Sequence, residues 1–170
     1  GYLPHFDRAG LLQVITFRLA DSLPASVLER MEVDARLAND QDRIHRIEQQ
    51  LDSGYGACYL GQPAIASMVQ QSLLYYDGQH YKLLVWVIMP NHVHVVIEVL
   101  AGHPLSEVVQ GWKSYTAHLA NRVLHREGHF WSVEYFDRFI RDAEHYASTV
   151  HYIHNNPVKA GLVLHAEEWP

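Results

Sequence analysis

The chain has 170 residues, of which 48% are hydrophobic, a single cysteine, and a net charge of −6 with histidine counted neutral. That is the size of one domain with its own core. Cys58 alone excludes an internal disulfide or a multi-cysteine zinc site, and no apolar run reaches the length of a membrane span. The negative balance argues against a generic polyanion binder. The acids crowd the first half (Glu29, Glu32, Asp34, Asp40, Asp42, Glu48, Asp52), whereas Lys113, Arg122, Arg126, Arg138, Arg141 and Lys159 lie in the second.

Residues Leu11 to Leu19 alternate as a strand does. Ser22-Leu23-Pro24 opens a helix that is expected to run to about Gln50, before the Asp52-Ser53-Gly54-Tyr55-Gly56 break. Pro63 starts a second helix, ended by Asp77-Gly78. Tyr81 to Met89 is nearly all apolar, as in a central strand, and Pro90-Asn91 turns it into a second strand, His92 to Leu100. Pro104 to about His125 reads as an amphipathic helix with an apolar stripe of Leu105, Val108, Trp112, Tyr115, Leu119 and Val123. An aromatic-rich loop, His129 to Phe139, follows Gly128. Asp142 caps a last helix that Pro157 is expected to end. This order predicts an α+β domain over residues 1–170, an antiparallel sheet with helices on one side. A fourth strand is expected near Phe130 to Phe136 or Leu162 to Leu164. The polar, glycine-punctuated stretch from about 37 to 60 reads as a peripheral helical elaboration.

On the second hairpin strand, His92 and His94 share a face with Val96 and Glu98, while Val93, Val95, Ile97 and Val99 point the other way. Two imidazoles on one rigid strand suit a metal site; buried or surface histidines without a ligand satisfy the same pattern. Glu98 is a candidate hydrogen-bond acceptor or base beside them. On the last helix, Tyr152 and Asn156 lie one turn apart on a polar stripe that His145 and Ser148 extend, next to an apolar stripe of Tyr146, Val150 and Ile153. A tyrosine at the core edge and a helix-capping asparagine fit these positions equally well. Trp131, Tyr135 and Phe136 suit stacking on unpaired bases or a core beneath a loop. Arg18, Arg138, Arg141 and Lys159 are candidate phosphate contacts or solvated cations. Tyr115, beside Lys113, falls in the apolar stripe and reads as structural.

The segments Met89-Pro90-Asn91-His92-Val93-His94, Phe130-Trp131 through Tyr135-Phe136-Asp137-Arg138, and Tyr152-Ile153-His154-Asn155-Asn156-Pro157-Val158-Lys159-Ala160-Gly161 resemble the single-tyrosine HUH transposases, especially the REP-associated tyrosine transposases. Leu3-Pro4-His5-Phe6-Asp7 and Thr16-Phe17-Arg18-Leu19 fit that group too. The resemblance implies a ferredoxin-like sheet with the histidine pair on a central strand and the nucleophile on the C-terminal helix. His92 and His94 would bind a divalent metal, Mg²⁺ or Mn²⁺, with Asn156 as third ligand, and Tyr152 would be the nucleophile. The implied activity is cleavage and rejoining of single-stranded DNA beside hairpins of repetitive extragenic palindromes (REPs), through a 5′-phosphotyrosine. A cytoplasmic, nucleoid-associated protein, monomeric or homodimeric and without a membrane partner, is expected. Two other readings remain open: a catalytically silent hairpin-binding protein, and a metal hydrolase using His92, His94 and Glu98.

Overall fold

A computed structural model describes residues 10–34 and 40–170, without side-chain detail for 31–45. Residues 3–7 of the resemblance therefore lie outside the described residues. The elements in chain order are β1 (Leu12–Leu19), α1 (Ala25–Asp34), α2 (Asp40–Leu51), α3 (Pro63–Tyr75), β2 (Tyr81–Ile88), β3 (His92–Val99), α4 (Leu105–Val123), β4 (Trp131–Phe139) and α5 (Ala143–Lys159). The strands form one sheet in the order β2-β3-β1-β4, with every neighbouring pair antiparallel. With α3 and α4 as the crossovers, this is the ferredoxin-like arrangement.

Local chemistry accounts for the boundaries. Pro63 occupies the first turn of α3, where its missing N–H costs no intrahelical bond. Met89 N–H donates to His92 O at 2.8 Å and closes the β2–β3 hairpin. The Asp142 side chain accepts from His145 N–H at 2.8 Å and starts α5. The expected fourth strand is β4, paired to β1, and the Leu162 to Leu164 alternative forms no strand. Pro157 does not end α5, which runs on to Lys159 with the proline inside it. Proline forfeits only its own donor here, and the chain still closes through Ala160 N–H to Asn156 O and Leu162 N–H to Pro157 O, both 2.9 Å.

The expectation of helices on one side holds only for the two crossovers. Helices α3 and α4 cover one face, packing Ile65, Val69, Leu73, Leu105, Val109 and Trp112 against Ile15, Phe17, Val93, Val95 and Ile97. On the other face, Ile153 of α5 packs with Val14, Val85, Val87, Met89 and Val96, while Ile47 and Leu51 of α2 pack with Leu23 and Phe136. The reason lies in the strands, which are buried on both sides: seven of the eight residues of β1 are buried in the pattern iBBBBBBB. The stretch read as peripheral thus supplies part of the second core, because the apolar residues Ile47 and Leu51 sit one turn apart on a largely polar helix.

The stripe on α4 is also displaced from expectation. Its buried side is Leu105, Val108, Val109, Trp112, Lys113, Thr116 and Ala120. Tyr115 is 57% exposed and Val123 48%, so Tyr115 is not a core residue. Thr116 can take the core position because its hydroxyl satisfies itself on Trp112 O at 2.6 Å and accepts from Trp131 Nε1 at 2.9 Å.

Candidate metal and tyrosine site

The pleat places His92 and His94 on the face covered by α5. Antiparallel register sets Arg18 and Thr16 of β1 opposite them, and Val87 of β2 opposite His94. Both imidazoles are fully buried, and their Nε2 atoms face one another at 3.1 Å. His92 Nδ1 lies 2.7 Å from Asn91 Oδ1, and His94 Nδ1 lies 2.7 Å from Thr16 Oγ1. Burial holds both rings neutral. It drives His92 well below the usual histidine range, with the His94 ring and Lys159 adding to the effect. It brings His94 down to about 3, with Arg138 and Lys159 contributing.

Helix α5 brings Tyr152 onto this pair, its ring 5.6 Å from that of His94. Asn156, one turn on, is completely buried, and neither its Oδ1 nor its Nδ2 has a hydrogen-bond partner. The Tyr152 hydroxyl is likewise buried with no hydrogen bond of full geometry, although Asn156 and Glu48 are its neighbours. Burial raises its proton affinity well above that of a free phenol, and the carboxylates of Glu48 and Asp52 raise it further. Lys159 Nζ sits 5.3 Å from the Tyr152 ring centroid and pairs with Asp52 at 2.7 Å, tying α5 to the turn after α2.

The donor set fits a small divalent cation. Two neutral imidazole nitrogens converge, and a buried amide oxygen without a partner lies on the helix above them. No cluster of three or more His, Cys, Asp or Glu side chains suited to a metal occurs among the described residues. A cation here would therefore draw its third protein ligand from an amide. With no carboxylate in the set, the ion would keep its full charge for a phosphate.

The other candidates divide. Arg18 is buried beside His92, its guanidinium reaching Ser22 Oγ at 3.3 Å and Leu19 O at 3.4 Å. Arg138 is half-buried opposite Val14 and close enough to act on His94. Arg141 is exposed, with its guanidinium 6.0 Å from the Phe139 ring. Trp131 is not available for base stacking. It is core on the opposite face, edge-on to Phe17 at 4.9 Å, because β4 is a strand rather than a loop. Tyr135 and Phe136 are buried too. Glu98 shares the histidine face but pairs with Lys82 at 3.1 Å at the far end of the strand. Ser148 is exposed; the buried side of α5 is Thr149, Ile153, Asn156 and Pro157.

Four residues at this site escaped the sequence reading: Asn91, Thr16, Glu48 and Asp52. Asn91 reads as a turn former, Glu48 as part of a polar peripheral stretch and Asp52 as the start of a chain break. Thr16 carried a usable signal, since strand alternation puts it on the face of Arg18.

The chain is thus a ferredoxin-like α+β domain with a buried His-x-His pair on a central strand beneath a tyrosine-bearing helix. The family model described as "Transposase IS200 like" matches residues 64–156, and the chain belongs to this family. It is similar to the REP-associated tyrosine transposase of Escherichia coli (strain K12), 27% identical over 92 residues that span 53% of this chain and 52% of the relative. The match thus spans about half the length of that curated relative. A solved structure of a REP-associated tyrosine transposase bound to a REP hairpin aligns with 100% of this chain and 80% of that chain, with a TM-score of 0.68 and 17% identity, and shows the same fold. The resemblance read from the motif segments is borne out at the level of family and fold. Among the described residues, no helix is long and apolar enough to cross a membrane.

Proposed function

We propose that the chain is a metal-dependent single-stranded DNA endonuclease and strand transferase that cleaves and rejoins DNA beside REP-type hairpins through a 5′-phosphotyrosine. The observation that carries this is the meeting of two buried Nε2 atoms with a tyrosine and an unpartnered amide on one helix. His92, His94 and Asn156 would hold Mg²⁺ or Mn²⁺. When bound, the ion supplies positive charge to the scissile phosphate.

The side chains of this protein do the rest. Helix α5 holds the Tyr152 hydroxyl near the histidines for in-line attack on phosphorus, and the bond from phosphorus to the 3′ oxygen breaks. Glu48, a neighbour of the hydroxyl, takes the phenolic proton, and the leaving 3′ oxygen gains one from water. The products are a 5′-phosphotyrosine and a free 3′-hydroxyl, so the same bond can be remade without another energy source. Lys159 and Arg138 add positive charge where the phosphate would sit. Tyr152 and His94 of one chain already adjoin, which supports attack within a subunit whether the protein is a monomer or a homodimer. The pairing of Glu98 with Lys82 speaks against the hydrolase reading, and a binder without chemistry has no need of a buried amide without a partner.

The test is incubation with end-labelled single-stranded hairpin oligonucleotides and Mn²⁺ or Mg²⁺. A denaturation-resistant protein–DNA adduct, lost with EDTA, is expected. Cleavage that persists in excess EDTA, or hairpin binding with neither cleavage nor adduct, overturns the proposal.

A further inference from the structure

Asn91 lies buried in the β2–β3 turn between two backbone carbonyls and one imidazole. Its Nδ2 donates to Leu51 O at 3.1 Å and to Tyr55 O at 3.0 Å. A carbonyl oxygen only accepts, so the amide is locked with nitrogen towards the 51–55 turn and Oδ1 towards His92. That Oδ1 also only accepts, so across 2.7 Å the proton belongs to His92 Nδ1. His92 Nε2 is left with a bare lone pair. The 3.1 Å contact with His94 Nε2 then has one polarity, with His94 donating. His94 Nδ1, 2.7 Å from Thr16 Oγ1, accepts from the threonine hydroxyl.

We infer that Asn91 is a positioning residue that fixes His92 in the tautomer with a bare Nε2, ready for a divalent cation, and that Thr16 lets His94 follow by reversing one hydrogen bond. The inference rests on the reading of His92 and His94 as metal ligands. For both Nε2 atoms to face a cation, His94 gives its Nε2 proton to water and takes one from water at Nδ1, and the ring stays neutral. Thr16 Oγ1 then accepts where it had donated. A hydroxyl does either by rotating, whereas an amide oxygen in that place could only accept. The two histidines are thus supported differently: His92 by an amide that cannot turn, His94 by a hydroxyl that can. The acceptors that hold the amide come from the end of α2 and the turn after it. That turn passes against Asp21 at Gly56, whose φ is +94° and where an added Cβ would meet Asp21 O at 2.6 Å, and Ala57 N–H donates to the Asp21 carboxylate at 2.8 Å. The stretch that looked peripheral in sequence therefore sets the protonation pattern of the histidine pair.

Two readouts test this without DNA. Nitrogen-15 NMR of the metal-free protein reports which ring nitrogen of His92 carries the proton, and titration with Mn²⁺ alone, followed by calorimetry, reports affinity. The wild type is expected to show His92 protonated at Nδ1. Asn91→Ala should mix the His92 tautomers and weaken Mn²⁺ about 10–100-fold. Asn91→Asp keeps an acceptor next to His92 and should keep its tautomer, but its second oxygen would face Leu51 O and Tyr55 O, so stability should fall. Thr16→Val should weaken Mn²⁺ without altering the His92 tautomer. If Asn91→Ala fails to fold, the wild-type spectrum and Thr16→Val decide. His92 protonated at Nε2 in the wild type, or a folded Asn91→Ala that binds Mn²⁺ as the wild type does, overturns the role of Asn91 alone. A wild type that binds no Mn²⁺ through these histidines overturns the metal reading itself.

Discussion

On the face covered by α3 and α4, the two buried indoles and the Tyr81 hydroxyl find partners. Trp112 Nε1 donates to the Tyr81 hydroxyl at 2.8 Å, Tyr81 donates to Leu73 O at 2.6 Å, and Trp131 donates to Thr116. On the face covered by α5, the same sheet buries both amide atoms of Asn156, the hydroxyl of Tyr152 and Nε of Arg18 without partners. Each such atom costs of order 1–3 kcal/mol. The contrast is instructive because both faces hang on the same four strands. One ties its indoles into the core, and the other tolerates loss of stability at the atoms proposed to meet metal and DNA.

The contrast can be broken most sharply at Tyr152. Tyr152→Phe removes a buried hydroxyl that has no firm partner, so stability should hold or rise by about 1 kcal/mol while the covalent DNA adduct disappears entirely; gel analysis beside a melting curve reads both. Adduct formation by the phenylalanine variant would dissolve the assignment. Next, His92→Ala and His94→Ala should each bring Mn²⁺-stimulated nicking below detection while the circular dichroism spectrum keeps its shape. Nicking at wild-type rates in either variant removes the histidines from the site.

Acid should sharpen the contrast. His92 and His94 titrate in the folded, metal-free chain below their ordinary value of 6.5. Below that pH the unfolded chain therefore binds more protons than the folded one. Their contribution is present above about pH 6.5 and is lost as pH falls towards the depressed value of about 3 for His94, at up to ~1.4 kcal/mol per pH unit for each ring. Denaturant titrations in EDTA between pH 7 and 4 measure this, and His94→Gln should flatten the slope; an unchanged slope would show that the ring is not buried neutral. On the face covered by α3 and α4, Trp131→Phe deletes one hydrogen bond and part of a buried ring and should cost about 2–3 kcal/mol with hairpin affinity unchanged. Weakened hairpin binding would return Trp131 to the DNA surface. The smallest effect belongs to Tyr115→Phe, on exposed α4, where nicking and stability should both stay at wild-type values; loss of nicking would break the Tyr152 assignment.

The strands and helices were legible because their periodicities are strong: β2 and β3 were placed to within a residue or so, and α3 and α5 were found from Pro63 and Asp142. The second layer of helices was not legible. A strand buried on both faces, such as β1, reads the same whether one or two layers cover it. Trp131 was ambiguous because an aromatic residue after a glycine suits a loop and an edge strand alike, and only pairing with β1 decides. Tyr115 misled through its ring, which the helical wheel counts as apolar although a phenol is content in water. At the site, His92, His94, Tyr152 and Asn156 could be nominated because each sits in a motif. Glu48 and Asp52 could not, since their relevance comes from a contact more than a hundred residues away along the chain, of which Asp52 with Lys159 is the example.

The strand order has a consequence for how the protein is made. β1 is third in the sheet, between β3 and β4, and β4 arrives only at residues 131–139. On the ribosome, β1 can pair with β3 once residue 99 has emerged, yet its other edge stays open while some thirty more residues are translated. Tyr152 follows later still. The nascent chain therefore carries its histidines well before Tyr152, and the proposed strand cutting cannot appear until that tyrosine has been synthesised.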